Sequence, residues 1–121
     1  MKALSIKQPF AELILQERKK IEIKKWNTDF RGEFLINSSK KSDEKAMKKF
    51  MFKKLPCGFI LGKAELINVK KYKNSKEFIK DKKLHLVNET FSNYGFILED
   101  VKKIKPIPVK DMLGFWDCDL K

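Results

Sequence analysis

The first 32 residues of the chain change hydrophobic periodicity, and this change limits the folds that the chain can adopt. Phe10, Leu13 and Ile14 recur at three- to four-residue spacing, which is typical of one buried face of a helix. Ile21 and Ile23 then alternate with charged residues, which is typical of a β-strand. With a short apolar run before the helix, this order predicts a strand, a short helix, a second strand and a turn.

The rest of the chain continues this mixture of strands and short helices, with turn residues between them. We predict strands at residues 3–6, 20–24, 33–37, 59–69, 94–101 and 114–118, with residues 102–109 continuing in extended form. We predict helices at residues 9–18, 43–53 and 75–83, and a loop at residues 85–93.

The long fourth strand contains a glycine that favours a curved sheet. Gly62 inside an apolar strand indicates a bulge or a tight bend, as barrels need at their corners. No internal repeat or linker interrupts the chain, so we expect one domain covering residues 1–121. The fold class that fits is α+β: a small, partly closed β-barrel of five or six strands with two or three peripheral helices.

The charge of the chain favours polyanionic partners. The chain carries 28 Lys plus Arg against 16 Asp plus Glu, a formal net charge of +12 at pH 7. Nucleic acid is the first candidate partner, and an acidic membrane surface is the second. Only Arg18 and Arg31 are arginines, so most of this charge attracts phosphate without the planar fork that reads base edges. The combination of many lysines with many glutamates also fits a thermophile or an AT-biased genome, so part of the charge can reflect lineage.

Cysteine and histidine usage gives no sign of a metal site. Cys57 and Cys118 lie far apart without a CxxC pair, and His85 is the only histidine. We therefore expect no metal and no cofactor, and we assign no chemistry to these three side chains. The chain start lacks an apolar targeting segment, and no window is long enough to span a membrane. We expect a reduced, cytoplasmic monomer without membrane association.

Motifs spread over nearly the whole chain resemble the ASCH domain, the activating-signal-cointegrator homology family of PUA-like β-barrels. The matching segments, in chain order, are Leu4-Ser5-Ile6-Lys7-Gln8-Pro9-Phe10-Ala11, Lys19 with Glu22, Trp26, Arg31-Gly32, Gly58-Phe59-Ile60-Leu61-Gly62, Tyr94-Gly95-Phe96-Ile97-Leu98, Pro106-Ile107-Pro108-Val109 and Gly114-Phe115-Trp116. The Gln-Pro-aromatic opening is most similar to the cointegrator-type branch of the family.

Three positions depart from what the resemblance leads us to expect. The family pattern Gly-x-Lys-x-x-Glu-x-Arg falls on residues 17–24. Glu17 replaces the turn glycine, a change that a turn tolerates where it does not need a positive φ. Lys24 replaces the arginine, which keeps the charge and loses the bidentate fork. Phe10 stands where relatives often carry tryptophan. These departures concern ligand specificity more than the fold.

The resemblance implies an RNA- or nucleotide-binding cleft between the first helix and the barrel. The residues expected to bind nucleic acid are Gln8, Lys19, Glu22, Lys24, Trp26, Arg31, Ser38, Lys40 and Lys41. DNA is an alternative ligand, and the sequence identifies no protein partner. The family also includes small enzymes: one branch looks like an amidohydrolase of acetylated cytidine, and a second resembles metal-independent ribonucleases that act on single strands. In that case Lys19 and Glu22 are the catalytic pair, although the amidohydrolase threonine falls on Glu22.

Each of these polar residues also has a structural interpretation. Lys19 is either partly buried against Glu22 or exposed at a strand edge. Glu22 is either a base-edge acceptor or general base, or part of an ion pair on a solvated strand face. Gln8 either contacts a base edge or bonds the backbone where the helix starts. Arg31 either binds a phosphate or caps its own turn.

The residues around and after the predicted turn allow two interpretations as well. Trp26 and Phe30 either stack on bases, worth about 1–3 kcal/mol per base, or pack as hydrophobic residues at the rim. Ser38 and the neighbouring Ser39 either meet a ligand or lie in a loop. A basic surface beside them would attract phosphate without sequence preference and comprises Lys40, Lys41, Lys48, Lys49, Lys53 and Lys54.

Overall fold

The structure, a computed structural model, describes residues 1–88 and 93–119. These residues form six strands and four short helices. In chain order they are β1 (Lys2–Ile6), α1 (Phe10–Leu15), β2 (Ile21–Lys24), β3 (Gly32–Ser38), α2 (Glu44–Lys49), β4 (Phe59–Lys71), α3 (Ser75–Lys80), α4 (Lys82–His85), β5 (Tyr94–Pro108) and β6 (Phe115–Asp117).

The strands form one curled sheet in the order β2-β5-β4-β3-β1-β6. β1 runs parallel to β3, and every other neighbouring pair is antiparallel. Helix α1 packs into the curl, where Ile14 joins a buried apolar cluster with Phe34, Leu66 and Phe96. This half-barrel with peripheral helices confirms the predicted α+β fold.

The curl depends on a bulge at the glycine in β4. The register of β4 against β3 shifts at this point: Ile36 pairs with Gly62 and the next residue, Asn37, pairs with Ile60, so Leu61 is the extra residue. A Cβ atom on Gly62 would lie 2.5 Å from the Lys102 carbonyl oxygen and 2.5 Å from Leu15 Cδ2. Only glycine therefore fits at this corner of the sheet, as the sequence predicted.

The first two helices are shorter than predicted, because left-handed residues end them. The helix predicted at residues 9–18 stops at Leu15, and Glu17 follows with a φ of 59°. The turn therefore does need a positive φ, so the condition under which glutamate replaces the glycine without strain is not met. The helix predicted at residues 43–53 ends at Lys49, and Met51 has a φ of 63°.

The second half of the chain also departs from the predicted boundaries. The helix predicted at residues 75–83 divides at Asp81 into α3 and α4. The loop predicted at residues 85–93 begins one residue later, because His85 is the last residue of α4. Residues 89–92 of this predicted loop lie outside the described residues. β5 continues as one strand through Pro106 and Pro108, because β2 pairs only with its first residues and leaves that edge open.

Candidate nucleic-acid interface

A cavity of about 1170 Å³, called the cleft below, lies between α1, β2 and α2. Two further segments complete its wall: residues 86–88 after α4 and residues 111–114 before β6. Its lining side chains are Ser5, Lys7, Phe10, Lys19, Glu22, Ile23, Lys24, Lys25, Trp26, Ser39, Asp43, Lys45, Ala46, Lys49, Phe50, Leu86, Val87, Asn88, Asp111 and Leu113, together with Gly114. A cavity of this size holds a nucleotide or a small ligand.

A buried carboxylate between two ammonium groups forms the floor of the cleft. Lys19 Nζ lies 3.5 Å from one oxygen of Glu22, and Lys24 Nζ lies 3.5 Å from the other. Glu22 is only 6% exposed and Lys19 only 1%. The interpretation of Glu22 as part of a solvated strand face is therefore wrong, because the carboxylate is buried and lies against both ammonium groups.

Burial lowers the pKa of the Lys19 amine to about 8, and the opposing attraction of Glu22 limits the shift. The ammonium also donates to the backbone carbonyl of His85 and lies 4.9 Å from the centre of the Phe10 ring. Lys19 is thus not at an exposed strand edge. A buried lysine with a lowered pKa is a common feature of functional sites.

Hydroxyl and carboxylate groups fix the loop on the far side of the cleft. Asp111 accepts hydrogen bonds from Ser5 Oγ at 3.0 Å and from Asn37 Nδ2 at 2.8 Å. Trp116 donates its indole N–H to Ser5 Oγ at 3.2 Å. This network holds residues 111–114 against β1 and places the exposed Leu113 at the cleft.

Aromatic side chains line the cleft at several points. Trp26 borders the cleft and packs edge-to-face on Phe96 and Phe115, with ring centroids 5.2 and 5.9 Å apart. Phe30 contacts Phe115 at 5.0 Å but does not line the cleft, so its role is packing. Phe10 and Phe50 also border the cleft, 6.4 Å from one another. Trp26 therefore both packs against the barrel and lines the cleft.

Several residues expected at the site lie outside the cleft. Gln8 is fully buried, where it donates to the Pro56 carbonyl and accepts from the Glu12 amide. It therefore supports the start of the helix. Arg31 donates to the carbonyls of Thr28 and Phe30 and so caps its own turn.

The polar segment after β3 contributes less to the cleft than the sequence suggested. Ser38 is buried within β3, not in a loop, and its hydroxyl bonds the Phe59 backbone. The exposed Lys40 and Lys41 are not among the residues that line the cleft. Ser39 does line it.

Helix α2 supplies two cations that the sequence analysis did not single out as a pair. Lys45 and Lys49 are one helical turn apart and both line the cleft, whereas the other α2 lysine, Lys48, does not. The helical spacing of Ala46, Met47 and Phe50 could have shown which lysines flank the buried face.

Lys7, Asp111 and His85 complete the set that sequence reasoning missed. Lys7 and Asp111 line the cleft, and His85 contacts Lys19 from behind it. Over residues 1–88 and 93–119, no group of three or more His, Cys, Asp or Glu side chains converges to hold a metal. None of the helices described in this part of the chain is long and apolar enough to cross a membrane.

The sequence model of the ASCH domain matches residues 4–108. The chain belongs to the ASCH domain family. This assignment confirms the resemblance seen in the sequence motifs, without distinguishing the branches of the family. No curated protein sequence matches the chain.

Solved structures share the fold of this ASCH domain. The crystal structure of ASCH from Zymomonas mobilis superposes on this chain with a TM-score of 0.66 and a sequence identity of 16%. The superposition covers 88% of this chain and 72% of the Zymomonas mobilis chain. A tyrosine-to-phenylalanine variant of that protein gives the same TM-score, 0.66, at 16% identity, covering 88% of this chain and 74% of its own. A serine-to-alanine variant of the same protein gives a TM-score of 0.66 at 15% identity, and the superposition covers 89% of this chain and 73% of the variant chain. At this level of identity the similarity shows the PUA-like fold alone.

Proposed function

We propose that this ASCH domain binds RNA, with one nucleotide held in the cleft. The observation that carries the proposal is the floor of the cleft, where the Glu22 carboxylate lies between two ammonium groups beside the Trp26 ring. A carboxylate oxygen accepts hydrogen bonds from base N–H groups, and an ammonium donates to base carbonyls. An indole offers a face or edge on which a base packs.

The charge around the cleft supports a phosphate-bearing ligand. Lys7, Lys25, Lys45 and Lys49 line its wall in addition to the floor lysines. Lysine ammonium groups attract phosphates without regard to sequence. The binding they provide weakens with added salt, because the release of counterions from the nucleic acid becomes less favourable. The net charge of +12 adds long-range attraction.

The test compares two pairs of charge reversals at matched helical positions. Lys45→Glu with Lys49→Glu changes the cleft wall, and Lys76→Glu with Lys80→Glu changes α3, which does not line the cleft. Both pairs alter the net charge equally. We expect both pairs to reduce the long-range attraction of a labelled oligouridylate, and the first pair to weaken its binding further and to reduce its log–log salt slope by about 2 more than the second. Equal affinities for the two double variants would contradict the proposal.

Hydrolysis is the second candidate function, and the environment of Lys19 is the observation that favours it. A pKa of about 8 leaves part of the amine neutral near physiological pH. With Glu22 as general base, the pair could act on an acylated nucleoside or on an RNA phosphodiester. The test is product formation from N-acetylated cytidine and from single-stranded RNA, without added metal, with Lys19→Ala as the control. No product from either substrate would argue against an enzyme.

A further inference from the structure

The chain has a single histidine, and it is buried behind the cleft. His85 is 0% exposed and stacks on Phe78, with ring centroids 4.2 Å apart and an interplanar angle of 25°. The Tyr72 ring packs edge-on at 6.3 Å. The imidazole therefore has no contact with solvent, and its hydrogen bonds fix its protonation state.

Those hydrogen bonds require a neutral ring. The Val87 backbone N–H donates to His85 Nδ1 at 2.9 Å, so Nδ1 carries no proton. His85 Nε2 lies 2.7 Å from the Phe78 carbonyl, which can only accept, so Nε2 carries the proton. The ring is thus held as the Nε2–H tautomer.

The same residue connects two parts of the cleft. The backbone carbonyl of His85 accepts a hydrogen bond from the Lys19 ammonium of the floor. The ring holds Val87, which lines the cleft together with Leu86 and Asn88. Leu86 adopts a left-handed φ of 60°, a costly conformation for a branched side chain. The backbone of the cleft wall is therefore strained at Leu86, directly before Val87, whose N–H donates the hydrogen bond to the imidazole.

Protonation of Nδ1 would set an N–H against the N–H of Val87 and remove that bond. The charged or titratable groups around the ring are Lys19 before β2, Lys70 in β4, Tyr72 directly after β4, Asp81 between α3 and α4, and Lys82 in α4. Asp81 already accepts from Tyr72 at 2.7 Å and from Lys70 at 2.9 Å. Burial lowers the pKa of His85, the hydrogen bond to Phe78 opposes this, and Lys19 lowers it further.

We propose that His85 is a positioning residue for the cleft: its neutral ring holds the wall at residues 86–88 while its carbonyl holds Lys19, so that protonation of the ring weakens ligand binding. The binding part of this inference rests on the proposed function. The structural part, the coupling between the ring and Val87, does not.

The structural part is tested by NMR on the ligand-free protein. Because there is one histidine, its Cε1–H signal reports the imidazole without ambiguity. On acidification we expect the Val87 amide signal to shift with the same midpoint as the Cε1–H signal. The amide of Lys76, in helix α3, serves as the reference. A Val87 amide that does not follow the imidazole titration would overturn the proposal.

The effect on ligand binding is tested with two variants, each of which can replace only one of the two hydrogen bonds that the imidazole makes. His85→Asn places an amide oxygen near the position of Nδ1, keeps an acceptor for Val87 and cannot titrate. His85→Gln reaches only the Nε2 position. The affinity for oligouridylate is measured from about pH 7.5 down to the lowest pH at which the protein stays folded, because burial places the pKa of His85 below the ordinary histidine value of about 6.5. Uracil does not titrate in this range, and circular dichroism verifies folding.

We expect the wild-type affinity to fall by about fivefold or more with acidification, the Asn variant to lose this dependence, and the Gln variant to bind weakly throughout. An unchanged pH dependence in a folded Asn variant overturns the proposal. If oligouridylate fails to bind at every pH, the proposed function and the binding part fail together. The NMR titration still decides the positioning role.

Discussion

The Lys24 ammonium donates a hydrogen bond to the backbone carbonyl of Ser5 at 3.0 Å, although the strands of these residues do not pair. β2 is one edge of the sheet, and three strands separate it from β1. The side chain therefore spans the gap of the half-barrel, and its second contact is with Glu22 at 3.5 Å. One lysine therefore connects the β2 edge of the sheet, strand β1 near the opposite edge, and the floor of the cleft.

Replacing Lys24 with methionine should therefore lower the free energy of unfolding by about 1–3 kcal/mol, because a charged hydrogen bond is lost and Glu22 keeps one cation. Urea denaturation measures this difference. Lys25→Met is the matched control, since the neighbouring lysine also lines the cleft but is exposed. Equal losses in the two variants would show that the bridge to Ser5 contributes nothing.

The buried amine of Lys19 should make stability rise with pH above about 8. Its pKa is lower in the folded state than the ordinary lysine value of 10.5, so the unfolded chain binds the extra proton between these two pH values. The slope approaches about 1.4 kcal/mol per pH unit within this window.

Urea titrations at a series of pH values measure this slope. Subtracting the profile of Lys19→Met removes the contribution of the other lysines. A difference profile that stays flat from about pH 8 to about pH 10 would place the Lys19 pKa near its ordinary value in the folded state.

Glycine at position 17 should stabilise the domain. Glu17 is exposed and has a φ of 59°, where a side chain costs about 1–2 kcal/mol and glycine costs little. The greater freedom of glycine in the unfolded chain offsets part of the gain. We expect thermal unfolding to shift upward for Glu17→Gly and not for Glu17→Ala. A gain in both variants would point to the lost charge instead of the backbone.

Trp26→Ala should weaken oligouridylate binding by about 1–3 kcal/mol if the ring stacks on a base. Fluorescence anisotropy measures the affinity. Phe30→Ala is the control, because Phe30 packs on the same Phe115 ring but lies outside the cleft. Both variants lose packing energy, so only a difference in affinity between them identifies stacking.

The sequence predicted those features of the fold that depend only on residues close together in the chain, such as strands and bulges. The alternation of Ile21 and Ile23 identified β2, and Gly62 identified the bulge, because local geometry restricts the residues allowed there. It missed the contact of Ser5 with Asp111, which joins residues 106 positions apart. No local pattern distinguishes such a pair from two surface residues.

The sequence placed Lys19 and Glu22 together but could not decide whether they were buried. Burial depends on α4, whose His85 carbonyl covers the Lys19 ammonium from a position 66 residues away. The role of His85 could not be predicted from the sequence, because a single histidine forms no motif with a second residue at a recognisable spacing. Gln8 and Arg31 were expected at the ligand and instead bond the backbone, a choice that only the fold determines.

The open edge of β5 has a consequence for how copies of this domain behave at high concentration. An unpaired strand edge is a template on which another chain can add a strand. Along this stretch the chain carries Lys102, Lys103 and Lys105, and Pro106 and Pro108 provide no amide hydrogen for pairing. The repulsion of like charges and the missing donors together keep a long, exposed strand from seeding aggregation.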